Sequence, residues 1–557
     1  MADLKYYKKI YDVKEVKSIK DMMEQALAEC PDKIAFRYRK EKQIVDVSFR
    51  DFYNLTINLG SALQSIGATN KHIACIGDNS FDWLTVYFTV LKSDNVLVPV
   101  DRELPLKDIV YVLNHSDSNI LLYSNRYEEF IDEIKEKCPK LEKFICFEKE
   151  KDTDNIKLSY QKFIEKGKAS RKKFKEKEHD TKKMKLIIYT SGTTGLAKGV
   201  MLSEFNLVSL VYSALSITTL EDNMLSVLPY HHTYESSCDI LAGFHNHSTI
   251  CINDSLKHVL NNLELFKPTG MMIVPAFAEL FYKKIWSTAE KQGKAKLLRT
   301  LIKVSNAFRK VHIDLRGLLF KSVRKPFGGQ LRQLICGGAP LRAEIGDFFN
   351  DIGIMMQNGY GITECSPLVA VNTPLKNDPR TVGLPLLCDE VKAINNTEDG
   401  YGEICVKGDC VMIGYYKDEE KTNEVLKDGW FNTGDFGYVN DEGQIVIIGR
   451  KKFFFVLANG KNIYPEEIEN YILAIPYVQD AIVKASTNKH GMNASNLMTE
   501  VYLNQDAVKE MGNIDIAKKL KEDINNNTRE LPTYKRIAEI IIRDKPFEKT
   551  TTNKIKR

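Results

Sequence analysis

The chain has 557 residues, 43% hydrophobic and 27% charged, with a formal net charge of +5. That is too long for one ordinary domain and apolar enough for a large core, which excludes a disordered or fibrous chain. A charge of +5 on this length is too small to imply wholesale nucleic-acid binding, so no nucleic-acid partner is expected.

The first residues, "MADLKYYKKIYDVKEVKS", are charged and lack the apolar stretch of a secretory leader. Runs such as "SDNVLVPV" and "GMMIVPAFAELF" fall well short of a membrane span. Eleven Cys are scattered without CxxC pairs or Cys/His metal spacing, which suits a reducing compartment and mostly buried thiols. A cytoplasmic location is expected. From "HIACIGDNS" and "FDWLTVYFTVLKS" through "NVLVPVD", "PLKDIVYVLNHS" and "ILLYS", apolar runs alternate with amphipathic segments. This strand–helix rhythm predicts layered α/β sheets, largely parallel.

Further along, the basic stretch "KGKASRKKFKEKEHDTKKMK" reads as a solvated linker. Next comes "LIIYTSGTTGLAKGVMLS" (Leu186–Ser203), a strand running into a burst of hydroxyls and bare amides. Gly192, Gly195 and Gly199 can wrap an anion without a Cβ in the way. Thr190, Ser191, Thr193 and Thr194 add donors, and Lys198 adds a cation. The spacing is not that of a Walker loop, and a plain Gly/Ser/Thr surface loop remains the competing reading. The segment "LLRTLIKVSNAFRKVHIDLRGLLFKSVRKPFG" has apolar residues at helical spacing with Arg and Lys between them. It reads as a surface helix pair, with a membrane-surface patch as the minority alternative.

Three stretches then add chemistry. "QLICGGAPL" precedes "NGYGITECSP", where Tyr360 lies between glycines and can face a flat base, with Thr363 and Glu364 at the same turn. A carboxylate beside a phosphate loop is poor electrostatics unless a hard cation sits between them, so Glu364 suggests Mg²⁺; a surface carboxylate is the plainer alternative. In "GWFNTGDFGYVNDEGQIVIIGR", read as a hairpin, Asp435 can accept hydrogen bonds from a ribose diol and Arg450 closes the second strand. A helix opened by Pro465, with Glu466 and Glu467 in its first turn, follows. Roughly a hundred residues of mixed strand and helix then run to "FEKTTTNKIKR", enough for a small separate domain. Lys554 there would, by itself, read as part of a solvated basic terminus.

In this order the motifs closely resemble the adenylate-forming enzymes, also called the AMP-binding or acyl-CoA synthetase superfamily. The resemblance spans nearly the whole chain, from "DKIAFRYR" to "NKIKR". Within it, "LPYHHTYE", "CVMIGYYKDEEKT" and "DGWFNTGDFG" look most like bacterial long-chain fatty acid–CoA ligases. The fold implied is a large N-terminal domain of layered α/β sheets (1–450) with a small mobile α+β C-terminal domain (451–557). The activity implied is ATP-dependent formation of a fatty acyl-AMP with loss of pyrophosphate, then transfer to coenzyme A.

Residue by residue, Thr190, Ser191, Gly192, Thr193, Thr194, Gly195 and Lys198 would hold the β- and γ-phosphates. Gly338, Ala339, Tyr360 and Gly361 would line the adenine pocket, with Thr363 near the α-phosphate. Glu364 with Thr190 would hold Mg²⁺. Asp435 would bind the ribose, Arg450 a ribose or phosphate oxygen, and His232 would gate the acyl site, its neighbour His231 only packing. Lys554 would bridge carboxylate and phosphate oxygens, and Lys452 would be the hinge. The family usually has Gly before the catalytic Lys, where this chain has Asn553, and often Asp or Asn after the hinge, where it has Phe453.

Such chemistry needs no protein nucleophile. Two anions must meet at phosphorus, so Lys554 and Mg²⁺ would screen repulsion while the site positions the reactants. Cys336 and Cys365, beside the adenine motifs, are expected to be buried small hydrophobes. Acyl carrier protein is the alternative acceptor. Activation of another carboxylic acid and a non-catalytic nucleotide- or acyl-binding relative are the rival readings. Peripheral contact with the inner membrane surface goes with the basic helical segment.

Overall fold

The computed structural model describes residues 10–171, 178–190, 197–395, 397, 400–457, 461–486, 496–512, 514–549 and 555. The chain forms two compact units. One takes residues 1–390, 406–431 and 441–444, the other 391–405, 432–440 and 445–557.

Two large sheets build the first unit. An eight-stranded sheet runs in the order Gly414–Tyr415, Lys198–Ser203, Met184–Thr190, Val96–Val100, His72–Ile76, Ile120–Tyr123, Lys143–Cys146, Lys157–Ser159. Its strands from Val96–Val100 to Lys157–Ser159 pair in parallel. Val96–Val100 is buried at every position, as expected of a parallel strand covered on both faces. A nine-stranded sheet places Leu368–Val371, Met355–Gly361, Gln333–Cys336, Gly270–Ile273 and Asn223–Ser226 side by side. The last four of these pair in parallel.

Local signals start the helices between these strands. Ser48 Oγ accepts the Asp51 N–H at 3.1 Å, capping Phe49–Ser65. Ser80 Oγ accepts the Trp83 N–H at 3.2 Å, capping Phe81–Leu91. Ser203 and Asn206 cap Glu204–Ile217 reciprocally. Each cap satisfies an amide that the first helical turn leaves without an intrahelical partner.

The second unit is α+β. Asp435 registers opposite Arg450 in an antiparallel pair formed by Trp430–Val439 and Ile445–Arg450. Val478–Ala485, Leu497–Leu503 and Ile537–Arg543 make a three-stranded sheet. The helix Pro465–Leu473 and the helix Ile516–Asn527 bring Ile468, Ile472, Leu520 and Ile524 to its core. Glu466 and Glu467 do occupy the first turn behind Pro465, where carboxylates suit the positive end of the helix dipole.

The strand–helix rhythm and the helical segment after Lys294 both appear as the sequence suggests. The basic stretch before the Ser/Thr/Gly loop departs from a plain linker. Its start belongs to the helix Tyr160–Ser170, and its last residue, Lys185, is buried with its ammonium donating to the Ser93 carbonyl. Burial holds that ammonium down, at about 8. Among the described residues, no helix is long and apolar enough to cross a membrane.

The helix Tyr160–Ser170 packs on Phe49–Ser65 through Gly167, where a Cβ would stand 1.9 Å from the Asn58 carbonyl oxygen and 2.9 Å from Ala62. Gly167→Ala is therefore expected to lower stability by about 1–3 kcal/mol, read as a shift in the denaturant midpoint. Gly317→Ala is the control, because no heavy atom lies within 4 Å of its Cβ position. Equal midpoints for the two variants would show that the helices do not depend on this contact.

Candidate active site

Thr190 and Lys198 face each other as the last paired residues of two antiparallel strands. The loop they close contains Ser191, Gly192, Thr193, Thr194 and Gly195, which lie outside the described residues. Gly414–Tyr415 then pairs with Val200 and Met201, so Tyr415 arrives beside the base of that loop. The Lys198 ammonium sits 5.0 Å from the centre of the Tyr415 ring, within cation–π range. The Tyr415 hydroxyl donates to Glu364 Oε1 at 2.7 Å. The Tyr415 side chain thus touches a cation with its ring and a buried carboxylate with its hydroxyl. Burial and the Glu364 charge hold the Tyr415 phenol well above its ordinary range, so it stays a donor.

Glu364 reaches this place on a short 3₁₀ turn, Thr363–Cys365, and both Thr363 and Glu364 are buried. The Met412 N–H donates to the Glu364 carbonyl at 2.7 Å, binding the turn to the segment before Tyr415. Tyr360 and Gly361 end the strand leading to this turn. At Gly361 a Cβ would stand 2.1 Å from the Pro367 carbonyl oxygen.

The neighbouring parallel strand ends at Cys336, opposite Asn358, and opens into Gly337, Gly338 and Ala339. Gly338 has φ +83°, a conformation that costs little only for glycine. A Cβ on Gly337 would meet the Tyr234 ring at 3.0 Å, so the two glycines serve different needs. The adenine-motif residues therefore gather at the carboxyl ends of parallel strands, the usual ligand position in open α/β sheets. Cys336 and Cys365 are buried.

Tyr234 carries no assigned role in the sequence reading, yet its hydroxyl donates to the Ile335 carbonyl at 2.9 Å, fastening the π-helical stretch Tyr234–Leu241 to the strand before Gly337. π-Helical turns are frequent at functional sites. His232 precedes it, and its Nδ1 accepts the Tyr234 N–H at 3.2 Å. His231 does more than pack: its Nε2 lies 3.4 Å from Asp101 Oδ1. Burial lowers the basicity of that ring, which the Asp101 charge partly offsets. One helical turn further, Glu235 and Asp239 are fully buried, and Glu235 Oε1 accepts the Ser226 hydroxyl at 2.6 Å. Burial raises both carboxyls well above the usual carboxylate range.

The second unit carries Asp435, Arg450 and Lys452. Arg450 Nε lies 2.6 Å from Asp435 Oδ1, and Asp435 is buried. The Asp435 N–H donates to Thr433 Oγ1 at 3.0 Å, and the Thr433 hydroxyl donates to the Ile404 carbonyl at 2.7 Å. Gly434, between them, has φ +71°, which explains Gly in "TGD". Lys452 lies on an exposed turn with its ammonium 4.6 Å from the Phe453 ring centre. Lys554 and Asn553 lie outside the described residues; Lys549 and Ile555, on either side, form an antiparallel bridge.

The AMP-binding enzyme family matches residues 23–416, and the chain belongs to that family. It is 30% identical over 511 residues to long-chain-fatty-acid–CoA ligase 5 of Rattus norvegicus, covering 84% of this chain and 74% of that one. It is 28% identical over 475 residues to fatty acyl-CoA synthetase B of Dictyostelium discoideum, covering 80% and 70%. A crystal structure of an anthranilate CoA ligase with anthranoyl-AMP superposes at a TM-score of 0.78 and 18% identity, covering 98% of this chain and 96% of that one.

Tyr415→Phe keeps the ring against Lys198 and deletes the donor to Glu364. It is expected to lower stability by about 1–3 kcal/mol, the cost of leaving a buried acceptor unmade. Denaturant unfolding measures this; a midpoint equal to that of the unsubstituted protein would show that water replaces the hydroxyl at no cost.

Proposed function

We propose that this protein uses ATP to convert a long-chain fatty acid to its acyl-adenylate with release of pyrophosphate. It then transfers the acyl group to coenzyme A, giving acyl-CoA and AMP. The observation that carries the reading is the line from Lys198 through Tyr415 to Glu364 at the base of the Ser/Thr/Gly loop. Membership of the AMP-binding enzyme family and the names of the relatives support the same reaction. Acyl carrier protein is the alternative acceptor.

In this reading Thr190 to Gly195 and Lys198 grip the leaving pyrophosphate. Gly338, Ala339, Tyr360 and Gly361 hold adenine, and Thr363 meets the α-phosphate. Arg450 fixes the Asp435 carboxylate so that ribose hydroxyls can donate to it. The Glu364 carboxylate and the Thr190 hydroxyl are an all-oxygen donor set that suits Mg²⁺. When bound, Mg²⁺ would neutralise charge on the phosphate oxygens. His232 stands at the entry to the acyl site, and Lys554 brings a mobile cation to the reacting oxygens. Residues 451–557 act as a small mobile domain on a 1–450 body, pivoting at Lys452, so that adenylation and thioester formation use different faces of it.

Pyrophosphate release with a panel of acids, with and without coenzyme A, tests the reaction. Activity should rise with acyl chain length, because each buried methylene is worth about 0.8 kcal/mol; a preference for acetate or benzoate over palmitate would overturn the substrate class. In single-turnover assays Lys554→Ala should lose about 10²–10⁴-fold in acyl-AMP formation while still passing preformed acyl-AMP to coenzyme A. Lys452→Pro, which fixes φ and removes an amide, should show the opposite split. Equal losses in both steps would sink the pivot.

A cytoplasmic protein that meets an anionic membrane surface fits the segment after Lys294. Between 294 and 328 the sequence holds ten Lys and Arg against one Asp, although the whole chain carries only +5. Leu297, Val304 and Phe308 lie along one side of the helix Ala295–Arg309 and are exposed. Val311 and Leu318 follow at 62% and 78% exposure. Exposed apolar residues flanked by cations suit the interface of an anionic bilayer. Co-sedimentation should therefore require phosphatidylglycerol in phosphatidylcholine vesicles and weaken with salt. Replacing Lys303 and Lys310 with Ala should cost about 2 kcal/mol, roughly 30-fold in partitioning. Equal binding to neutral vesicles, or none to either, would overturn the contact.

A further inference from the structure

Away from the nucleotide residues, two thiols and a carboxylate converge at a place the proposed reaction does not use. Cys388 Sγ lies 3.0 Å from Cys410 Sγ. With the Asp389 carboxylate, the ligand atoms all lie within 4.8 Å of one another. Cys410 is fully buried, Asp389 is 6% exposed, and Cys388 is half-buried.

Asp389 is the informative member. Its Oδ1 accepts the Cys410 N–H at 3.3 Å, its Oδ2 is buried away from any N–H or O–H donor, and the Cys388 and Cys410 thiols are the polar groups that face the carboxylate. A buried carboxylate oxygen left in that condition is costly. The Gly408 backbone packs close beside it, since a Cβ there would stand 2.2 Å from Asp389 Oδ1.

We propose that Cys388, Asp389 and Cys410 bind one thiophilic divalent cation of the zinc class. Two thiolates and a carboxylate match the borderline-soft preference of Zn²⁺ and suit neither Mg²⁺ nor Ca²⁺, which take oxygen ligands. Zn–S bonds of about 2.3 Å in a tetrahedron would set the sulfurs roughly 3.8 Å apart, a small opening from their present separation. Each thiol releases its proton to water as its sulfur–metal bond forms. The half-buried side of Cys388 offers an entry path and a fourth position for water. A disulfide between the same sulfurs would leave Asp389 Oδ2 unpaired, whereas a cation satisfies all three groups.

The position gives the ion a structural task. Asp389 begins the strand Asp389–Ile394, and Cys410 lies two residues beyond the strand Gly402–Gly408. One ion would pin the start of the first to the end of the second. The Ser366 hydroxyl donates to the Cys410 carbonyl at 2.7 Å, and the Met412 N–H donates to the Glu364 carbonyl. The clip would thus stiffen the segment that backs the Glu364 turn.

The test titrates the reduced full-length protein with Zn²⁺ against a chromophoric chelator, and with Cd²⁺ while following thiolate-to-metal absorption. One equivalent should bind tightly and raise the unfolding midpoint, as any ligand specific to the folded state does. That equivalent should vanish in the Cys388→Ser/Cys410→Ser variant. Asp389→Asn should weaken it by at least the roughly 10- to 100-fold that losing even an outer-shell group costs a metal site. Cys388→Ser alone, at a half-buried position, guards against a double variant that fails to fold, and should also lose the equivalent. Unchanged uptake in these variants would overturn the proposal. So would protein isolated without reductant that carries a Cys388–Cys410 disulfide and takes up no Zn²⁺ after reduction.

Discussion

A carboxylate kept out of water, hydrogen-bonded to a ring that also holds a lysine, is the constraint around which the larger unit is arranged. Glu364 is buried, and a carboxylate in so dry a place is costly unless opposite charge and hydrogen bonds compensate. Tyr415 supplies the hydrogen bond, and the same ring holds the Lys198 cation. The short strand Gly414–Tyr415 exists to deliver that ring, because its pairing with Val200 and Met201 sets where the hydroxyl points. The backbone of Met412 then holds the Glu364 turn from behind.

The second unit solves a related problem differently. Asp435 is nearly inaccessible, and Arg450 meets it directly across the strand pair. A one-residue slip in that register would turn Arg450 to the other face, so the Gly434 turn and the Thr433 hydrogen bonds that hold the register also hold the ion pair. Lys452 follows two residues later on an exposed turn, outside the strand ladder.

Polar burial recurs near the motif "LPYHHTYE". Tyr234 fastens the π-helical stretch to the strand leading to Gly337, and Glu235 and Asp239 sit wholly inside. Burial favours their protonated forms, which can donate hydrogen bonds as well as accept them. The close approach of Gly337 to the Tyr234 ring ties this interior to the turn at Gly337 and Gly338, so packing there and the shape of that turn cannot vary separately.

The alternation of apolar runs with amphipathic segments determined the α/β layering, because helical and strand periodicities are local properties of the chain. Ser48, Ser80 and Ser203 start helices for equally local reasons, and motif order was enough to indicate the family. The residues around them also singled out Glu364, Asp435 and Arg450 as candidates. What the chain could not signal were the partners. Tyr415 lies 51 positions from Glu364, and no periodicity links them; strand pairing alone brings them together. Cys388 and Cys410, 22 positions apart, escape any search for close metal-ligand spacing for the same reason. Lys185 read as one more cation in a solvated stretch, yet it is the second residue of the strand Met184–Thr190, which carries it inside. Local sequence sets which elements form, but burial and long-range hydrogen bonds depend on which elements become neighbours, and that is decided only when the sheets assemble.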